Sequence, residues 1–300
     1  DRIESRGLGD VYKRQRLISL IPFGIQTFFG MLLGKLLFKY LKKRKAVTIW
    51  NIKKCFPNLD EAQVKDIAKL NFIRLGQSIF EICNSYYKSN KEFLKMIKNS
   101  DEIENKIHEI KNQKNLILVP HTGNIDFVVR VPSIFLKLNG MQRAQENKLW
   151  NKIMTEGRSK FVDKIFLPNE GKRLLETLNN GESVLYAPDQ DYGYKNSIFV
   201  DFFNHKALTV VFPSVLVKRT GCKVYLLTLV KENNGYVADL EKLDLEGENE
   251  EADLKKINIA IESFATSNIS EYYWIHRRFK NRPKGEKSFY PEDALRKTWL

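Results

Sequence analysis

Cysteine is scarce in this 300-residue chain: Cys55, Cys83 and Cys222 are the full complement, far apart and without a Cys-x-x-Cys pair. An odd number so spaced argues against a disulfide framework and offers no structural zinc pattern. The three thiols fit a reducing compartment, with Cys55 and Cys222 as packing residues. No metal and no cofactor are expected. Only four histidines occur, His108, His121, His205 and His276. There is no internal repeat, no low-complexity tract and no linker long enough to separate two domains. Helix-turn-helix, zinc-finger and RNA-binding signatures are missing, so a nucleic-acid partner has no recognition element here.

Acidic residues are in deficit. Lysine and arginine number 50 against 36 aspartates and glutamates, a formal charge of +14. That excess implies an anionic partner: nucleic acid, an acidic membrane surface, an acidic carrier protein or a phosphorylated lipid. Charge alone does not choose among them. A hydrophobic content of 43% and an aromatic content of 12% suffice for a sizeable core. The length suits one large α/β domain or two small ones.

Residues 1–16 are polar and without clear periodicity, and are set aside as an unassigned leader. From 17 to 34 no charged residue occurs, a run just long enough for a membrane helix. Pro22, Gln26 and Thr27 weaken it, while Leu36, Leu37 and Phe38 extend the apolar character past Lys35. No small-x-small cleavage site follows, which disfavours a signal peptide. A membrane anchor is therefore expected over 17–38, with a buried soluble helix as the alternative, and residues 39–300 are expected as one domain. Lys39, Lys42, Lys43, Arg44 and Lys45 follow immediately. Such an excess of cations marks the cytoplasmic side and can touch anionic headgroups.

Helical spacing governs 60–87, with Asp60 as N-cap and Val64, Ile67, Ala68, Phe72, Leu75, Ile79 and Ile82 as one apolar stripe. A short helix is predicted over 101–111. The pattern then changes to short apolar strands at 115–120, 165–167, 183–187 and 223–230. Helices are predicted at 125–138, 148–161, 171–180, 209–219 and 252–266. A strand at 236–240 should return antiparallel to 223–230 through Asn234-Gly235. Alternation of this kind predicts an α/β fold: a mostly parallel central sheet flanked by helices, plus the N-terminal membrane-anchor helix.

The chemistry centres on Pro120-His121-Thr122-Gly123-Asn124-Ile125-Asp126. His121 falls just past a buried strand, and in open α/β sheets ligands gather at the carboxyl ends of strands. Asp126 lies five residues on, in the first turn of the next helix. With Gly123 permitting a tight turn, the carboxylate can fold back to hold one imidazole nitrogen and leave the other as a general base. Structural roles for both residues compete with that reading. Asp189 and Asp191 form a loop on the same sheet edge, and two neighbouring carboxylates admit either Mg²⁺ or acid–base work. His108 reads as a helix-surface residue and His205 as a loop residue. His276 sits in an aromatic and basic run from Tyr272 to Lys280, suited to nucleic acid or to lipid headgroups.

The His-x-x-x-x-Asp segment resembles the catalytic motif of the glycerolipid acyltransferase superfamily, and more narrowly the lauroyl/myristoyl, or late, acyltransferases of lipid A biosynthesis. Three further segments look like hallmarks of that family, in the same order. They are Asn51-Ile52-Lys53-Lys54-Cys55-Phe56-Pro57, Tyr186-Ala187-Pro188-Asp189-Gln190-Asp191-Tyr192-Gly193, and Tyr273-Trp274-Ile275-His276-Arg277-Arg278-Phe279-Lys280-Asn281-Arg282-Pro283.

The resemblance implies a thioester donor on acyl carrier protein or coenzyme A. It also implies a phosphorylated glucosamine acceptor (a lipid A precursor of the Kdo-lipid IVA type) and a place at the bacterial inner membrane with the catalytic domain cytoplasmic. It implies His121 and Asp126 as the catalytic pair, with no metal and no covalent acyl-enzyme. Arg143 and Asn147, in Arg143-Ala144-Gln145-Glu146-Asn147, resemble the family's Arg/Asn block, and Arg158 resembles its following arginine. Either guanidinium could bind a phosphate or the oxyanion, and Asp189 and Asp191 would line the site. Many lipid A enzymes carry Glu where this chain has Asp126, and Arg143 lacks the usual neighbouring proline. An acceptor from another glycolipid or phospholipid is the alternative reading.

Overall fold

The computed structural model describes residues 15–291; the reading of residues 1–16 as a leader falls, up to residue 14, outside the described residues. Among the described residues eight strands form two sheets. In the larger sheet β1 (Asn115–Leu118), β2 (Leu138–Met141), β3 (Ile165–Phe166), β4 (Ser183–Tyr186), β7 (Lys223–Glu232) and β8 (Gly235–Leu243) lie in the order β3-β2-β4-β1-β7-β8. All pairings are parallel except that of β7 with β8. A separate antiparallel hairpin joins β5 (Ser197–Phe202) to β6 (His205–Val210).

The central strands bury both faces, which is why they read as unbroken apolar runs. Alternate side chains nevertheless serve different cores. Leu116, Leu118, Val184, Val224 and Leu226 face one cluster, with Leu216, Leu254 and Ile257 from the covering helices. Ile117, Val119, Leu185, Tyr225 and Leu227 face the other, with Ile103, Ile107 and Phe127.

The helix Glu61–Tyr87 begins as expected: Asp60 and Gln63 form a reciprocal capping box. Its stripe is divided in use. Val64, Ala68 and Phe72 are core, whereas Leu75, Ile79 and Ile82 line an open cleft. Elsewhere the boundaries move. The helix predicted to 138 ends at Ser133, and Leu138 opens β2. The helix predicted from 209 begins at Phe212, because Thr209 and Val210 belong to β6. It closes at Gly221, whose φ of 63° is the left-handed C-cap that glycine accommodates. Glu232 pairs with Gly235, so the β7–β8 turn is Asn233-Asn234, one residue earlier than expected.

The segment expected to be a membrane anchor is interrupted and carries charge. Pro22 breaks the uncharged run, and the helix Phe23–Tyr40 continues through Lys35 and Lys39. Among the described residues no helix is long and apolar enough to cross a membrane. One face of Phe23–Tyr40, at Gln26, Gly30 and Gly34, is buried against Glu61–Tyr87. A Cβ on Gly34 would fall 2.4 Å from Ile73 Cα, and one on Gly76 would fall 2.3 Å from Gly30 O, so the two backbones touch. The opposite face leaves Ile25, Phe28, Phe29, Leu32 and Leu36 exposed.

Candidate active site

The register of β1 against β4 builds the centre of the site. Leu118 lies opposite Tyr186, and Val119 N–H continues the pairing to Tyr186 O at 3.0 Å. Past the strand ends the two chains present His121 and Asp189 side by side. His121 Nδ1 is 2.5 Å from Asp189 Oδ1, and the His121 backbone N–H donates to Asp189 Oδ2 at 2.9 Å. Asp189 is buried. Burial alone raises its carboxyl pKa, but the attraction to His121 and the hydrogen bonds from His121 outweigh it, leaving the carboxyl below its ordinary value. A carboxylate on Nδ1 fixes that nitrogen as the N–H of the neutral ring and leaves the lone pair on Nε2.

The expected His121–Asp126 contact is therefore replaced. Asp126, also buried, is gripped by Arg158, with Nε donating to Oδ1 at 2.6 Å and Nη2 to Oδ2 at 2.9 Å. The Tyr86 hydroxyl adds a third bond at 3.0 Å. Arg158 Nη1 donates to Gln142 Oε1 at 2.9 Å. The fork expected to hold a phosphate is thus spent on a protein carboxylate. Gly157 makes this possible, since a Cβ there would lie 2.3 Å from the Tyr86 ring. Gly123 likewise serves close approach: its Cβ would sit 3.1 Å from Ser78 Oγ, and its φ is not among the positive ones.

The remaining expected residues separate. Arg143 is exposed on the cleft wall. Asn147, also on the wall, caps the helix Lys148–Arg158 by accepting from Trp150 N–H. Asp191 accepts from Gly193 N–H and from Asn281 at 2.8 Å through its side chain, so it ties two loops together rather than sharing an ion with Asp189. Among the described residues no group of three His, Cys, Asp or Glu side chains is placed to hold a metal. His108 lies on a helix surface beside Glu104, and His205 opens β6 rather than sitting in a loop.

The C-terminal motif closes the site. Thr122 pairs with Tyr272 in an antiparallel bridge, and Tyr273 N–H donates to His121 O at 3.0 Å. Two buried asparagines hold its carbonyls. Asn51 donates to Trp274 O and His276 O, and Asn71 to Ser270 O and Tyr272 O. Arg44, from the cation cluster, donates to Ile275 O. His276 thereby leaves the aromatic run and joins His121, Asp189 and Gln190 around one narrow pocket. Sequence reasoning missed Tyr86 and Gln142, which carry no motif signal. The placement of Asp189 had one: it stands as far past β4 as His121 stands past β1.

His121, Asp126, Arg143 and Arg158 all border a cleft of ≈ 1300 Å³, whose walls include Ile79, Ile82, Val129, Met154, Val162, Ile165 and Leu185. Pockets for small ligands run to about 1,000 Å³, so this one suits a longer, largely apolar molecule. The site thus sets a carboxylate-held histidine beside a cleft with room for a long apolar chain.

Similarity to known proteins defines the class. The family described as bacterial lipid A biosynthesis acyltransferase matches residues 13–281, and the chain belongs to it. Curated relatives include the lipid A biosynthesis palmitoleoyltransferase of Escherichia coli (strain K12), 27% identical over 279 residues and 90% of both chains. The lauroyltransferase of the same organism is 26% identical over 286 residues and 91% of both chains. A lipid A biosynthesis acyltransferase of Haemophilus influenzae is 28% identical over 282 residues, 89% of this chain and 88% of that one.

Proposed function

We propose that this acyltransferase moves a fatty acyl chain from a thioester, on acyl carrier protein or coenzyme A, to a hydroxyl of a phosphorylated lipid A precursor. The single observation that carries the reading is His121, held through Nδ1 by Asp189 at the mouth of the apolar cleft. Nε2 takes the proton of the acceptor hydroxyl, the alkoxide oxygen attacks the thioester carbonyl, and the thiolate leaves. Asp126 organises the cleft wall through Arg158 instead of touching the imidazole. Arg143, exposed on that wall, is the residue for an anionic headgroup.

On this reading the reaction runs at the cytoplasmic face of the inner membrane. The exposed row Ile25, Phe28, Phe29, Leu32 and Leu36, with Lys35, Lys39, Lys42 and Lys43 beside it, supports seating in an anionic interface. The test is incubation of the purified chain with acyl carrier protein or coenzyme A thioesters and a phosphorylated disaccharide lipid, read by mass spectrometry. One added acyl chain is expected. Transfer to glycerophospholipids alone would overturn the acceptor, and no transfer from either donor would overturn the reading.

A further inference from the structure

Acyl transfer needs more than a base. As the hydroxyl oxygen attacks, negative charge collects on the thioester carbonyl oxygen, and a donor already in place there lowers the barrier. Neither arginine expected from the sequence supplies one beside His121. All three donor nitrogens of Arg158 are engaged by Asp126 and Gln142, and Arg143 stands exposed on the outer wall. Arg278 is buried with its two terminal nitrogens on Leu208 O and Thr209 Oγ1; its Nε has no partner, but the residue borders only the narrow pocket and not the large cleft where an acyl chain would lie.

His276 is placed differently. Its Nε2 accepts the Asp191 backbone N–H at 3.2 Å. An imidazole nitrogen that accepts carries no proton, so the neutral ring holds its hydrogen on Nδ1. Nδ1 has no hydrogen-bond acceptor among the described residues, and the ring borders both the narrow pocket and the large cleft together with His121. The ring also stays neutral. Burial, with repulsion from His121, Arg278 and Lys280, pushes its pKa down to about 3, against the opposing pull of Asp189. A neutral imidazole donor beside a base is an arrangement that polarises a carbonyl.

We infer that His276 is a second catalytic residue, whose Nδ1–H donates to the carbonyl oxygen of the acyl thioester as the tetrahedral intermediate forms. The two histidines are thus set in opposite tautomeric senses by two carboxylate-loop contacts. Asp189 holds His121 so that Nε2 offers a lone pair; the Asp191 amide holds His276 so that Nδ1 offers a proton. The proton taken by His121 Nε2 passes to the leaving thiolate, while His276 keeps its own hydrogen throughout. The inference rests on the acyl-transfer reading and adds a residue to it.

Two substitutions separate a catalytic donor from a structural prop. His276→Asn places an amide near the Nδ1 position and keeps a donor there, but loses the acceptor for Asp191 N–H. His276→Gln keeps an acceptor for that amide and loses the donor. Loss of one oxyanion donor lowers kcat by about 10² to 10³, so His276→Gln is expected to fall by that much with KM little changed. His276→Asn should retain at least about tenfold more kcat than His276→Gln, the factor that one donor of this kind readily covers. Nitrogen NMR of the imidazoles gives a readout independent of turnover: His276 should show a protonated Nδ1 and a bare Nε2 down to about pH 4. If His276→Gln works as well as His276→Asn or better, or if the ring carries its proton on Nε2, the inference is overturned while the function stands. A wild-type protein that transfers no acyl group overturns both.

Discussion

His121 and Asp189 meet through two bonds, one from the ring and one from the backbone, because each lies three residues past a paired position, Leu118 and Tyr186, on adjacent parallel strands. Asp189→Asn should lower kcat by about 10² to 10⁴, since the ring loses its fixed tautomer while the fold keeps its shape. His121→Ala should fall by at least as much. Asp189→Asn should also flatten the acid end of the stability curve. The Asp189 carboxyl lies below its ordinary value in the folded chain, so it stabilises the fold above the unfolded pKa. That contribution is lost as pH falls through the folded one. Steady-state kinetics and urea midpoints across pH 3–7 check both points; an Asp189→Asn enzyme with ordinary turnover would remove Asp189 from the site.

Asp126 is expected to matter first for stability. Its removal leaves Arg158, whose side chain is 17% exposed, without its carboxylate, a loss approaching the roughly 3–5 kcal/mol of breaking a fully buried pair from one side. Asp126→Ala should therefore melt well below Asp126→Asn, which still accepts from the guanidinium. Comparable thermal midpoints for Asp126→Ala and the wild type would show that the Asp126–Arg158 grip is not a strong one.

This division of labour shows where the sequence was readable. The strand before His121, the Asp60 cap, the Gly221 stop and the mostly parallel character of the sheet were legible because each rests on local periodicity, turn chemistry or the alternation of strands with helices. The His121 partner was not, because nearness along the chain favoured Asp126 whereas strand register favours Asp189, and register is a non-local property. The stripe Val64–Ile82 was legible as apolar, but periodicity does not distinguish a side chain packed in the core from one lining a lipid-sized cleft. The run at 17–34 reads as a span only while Gly30 and Gly34 are counted as apolar rather than as places where another backbone lies against the helix.

Headgroup recognition is expected to rest on Arg143. Arg143→Ala should reduce the preference for a phosphorylated acceptor over its dephosphorylated analogue, and Lys should rescue in part because it lacks the fork. Arg158→Ala should instead lower the melting temperature. Rising salt should raise KM for an acidic carrier-protein donor more than for the acceptor. Unchanged acceptor preference in Arg143→Ala would remove that residue from headgroup binding.

Replacing Phe28 and Phe29 together with Asp should release the protein from anionic vesicles in a sedimentation assay, with little change in melting temperature, because both rings are exposed. Gly34→Leu should do the reverse, disturbing the fold through the contact with Ile73. Sedimentation of the double Asp variant with wild-type efficiency would mean that another surface carries the attachment.

The Gly30–Gly34–Gly76 contact has a mechanical consequence. The helix Glu61–Tyr87 that it grips also supplies Ser78 beside Gly123 and Tyr86 to Asp126, and at 1.5 Å per residue it spans about 40 Å. With no side chain between the two backbones, the pair has little slack, and the outer apolar row is joined through Ser78 and Gly123 to the turn that carries His121. The height of His121 above whatever that row rests on is therefore set like the depth stop on a drill. A lipid acceptor would be met at one fixed level, with its chains still among their neighbours and only its headgroup raised into the cleft.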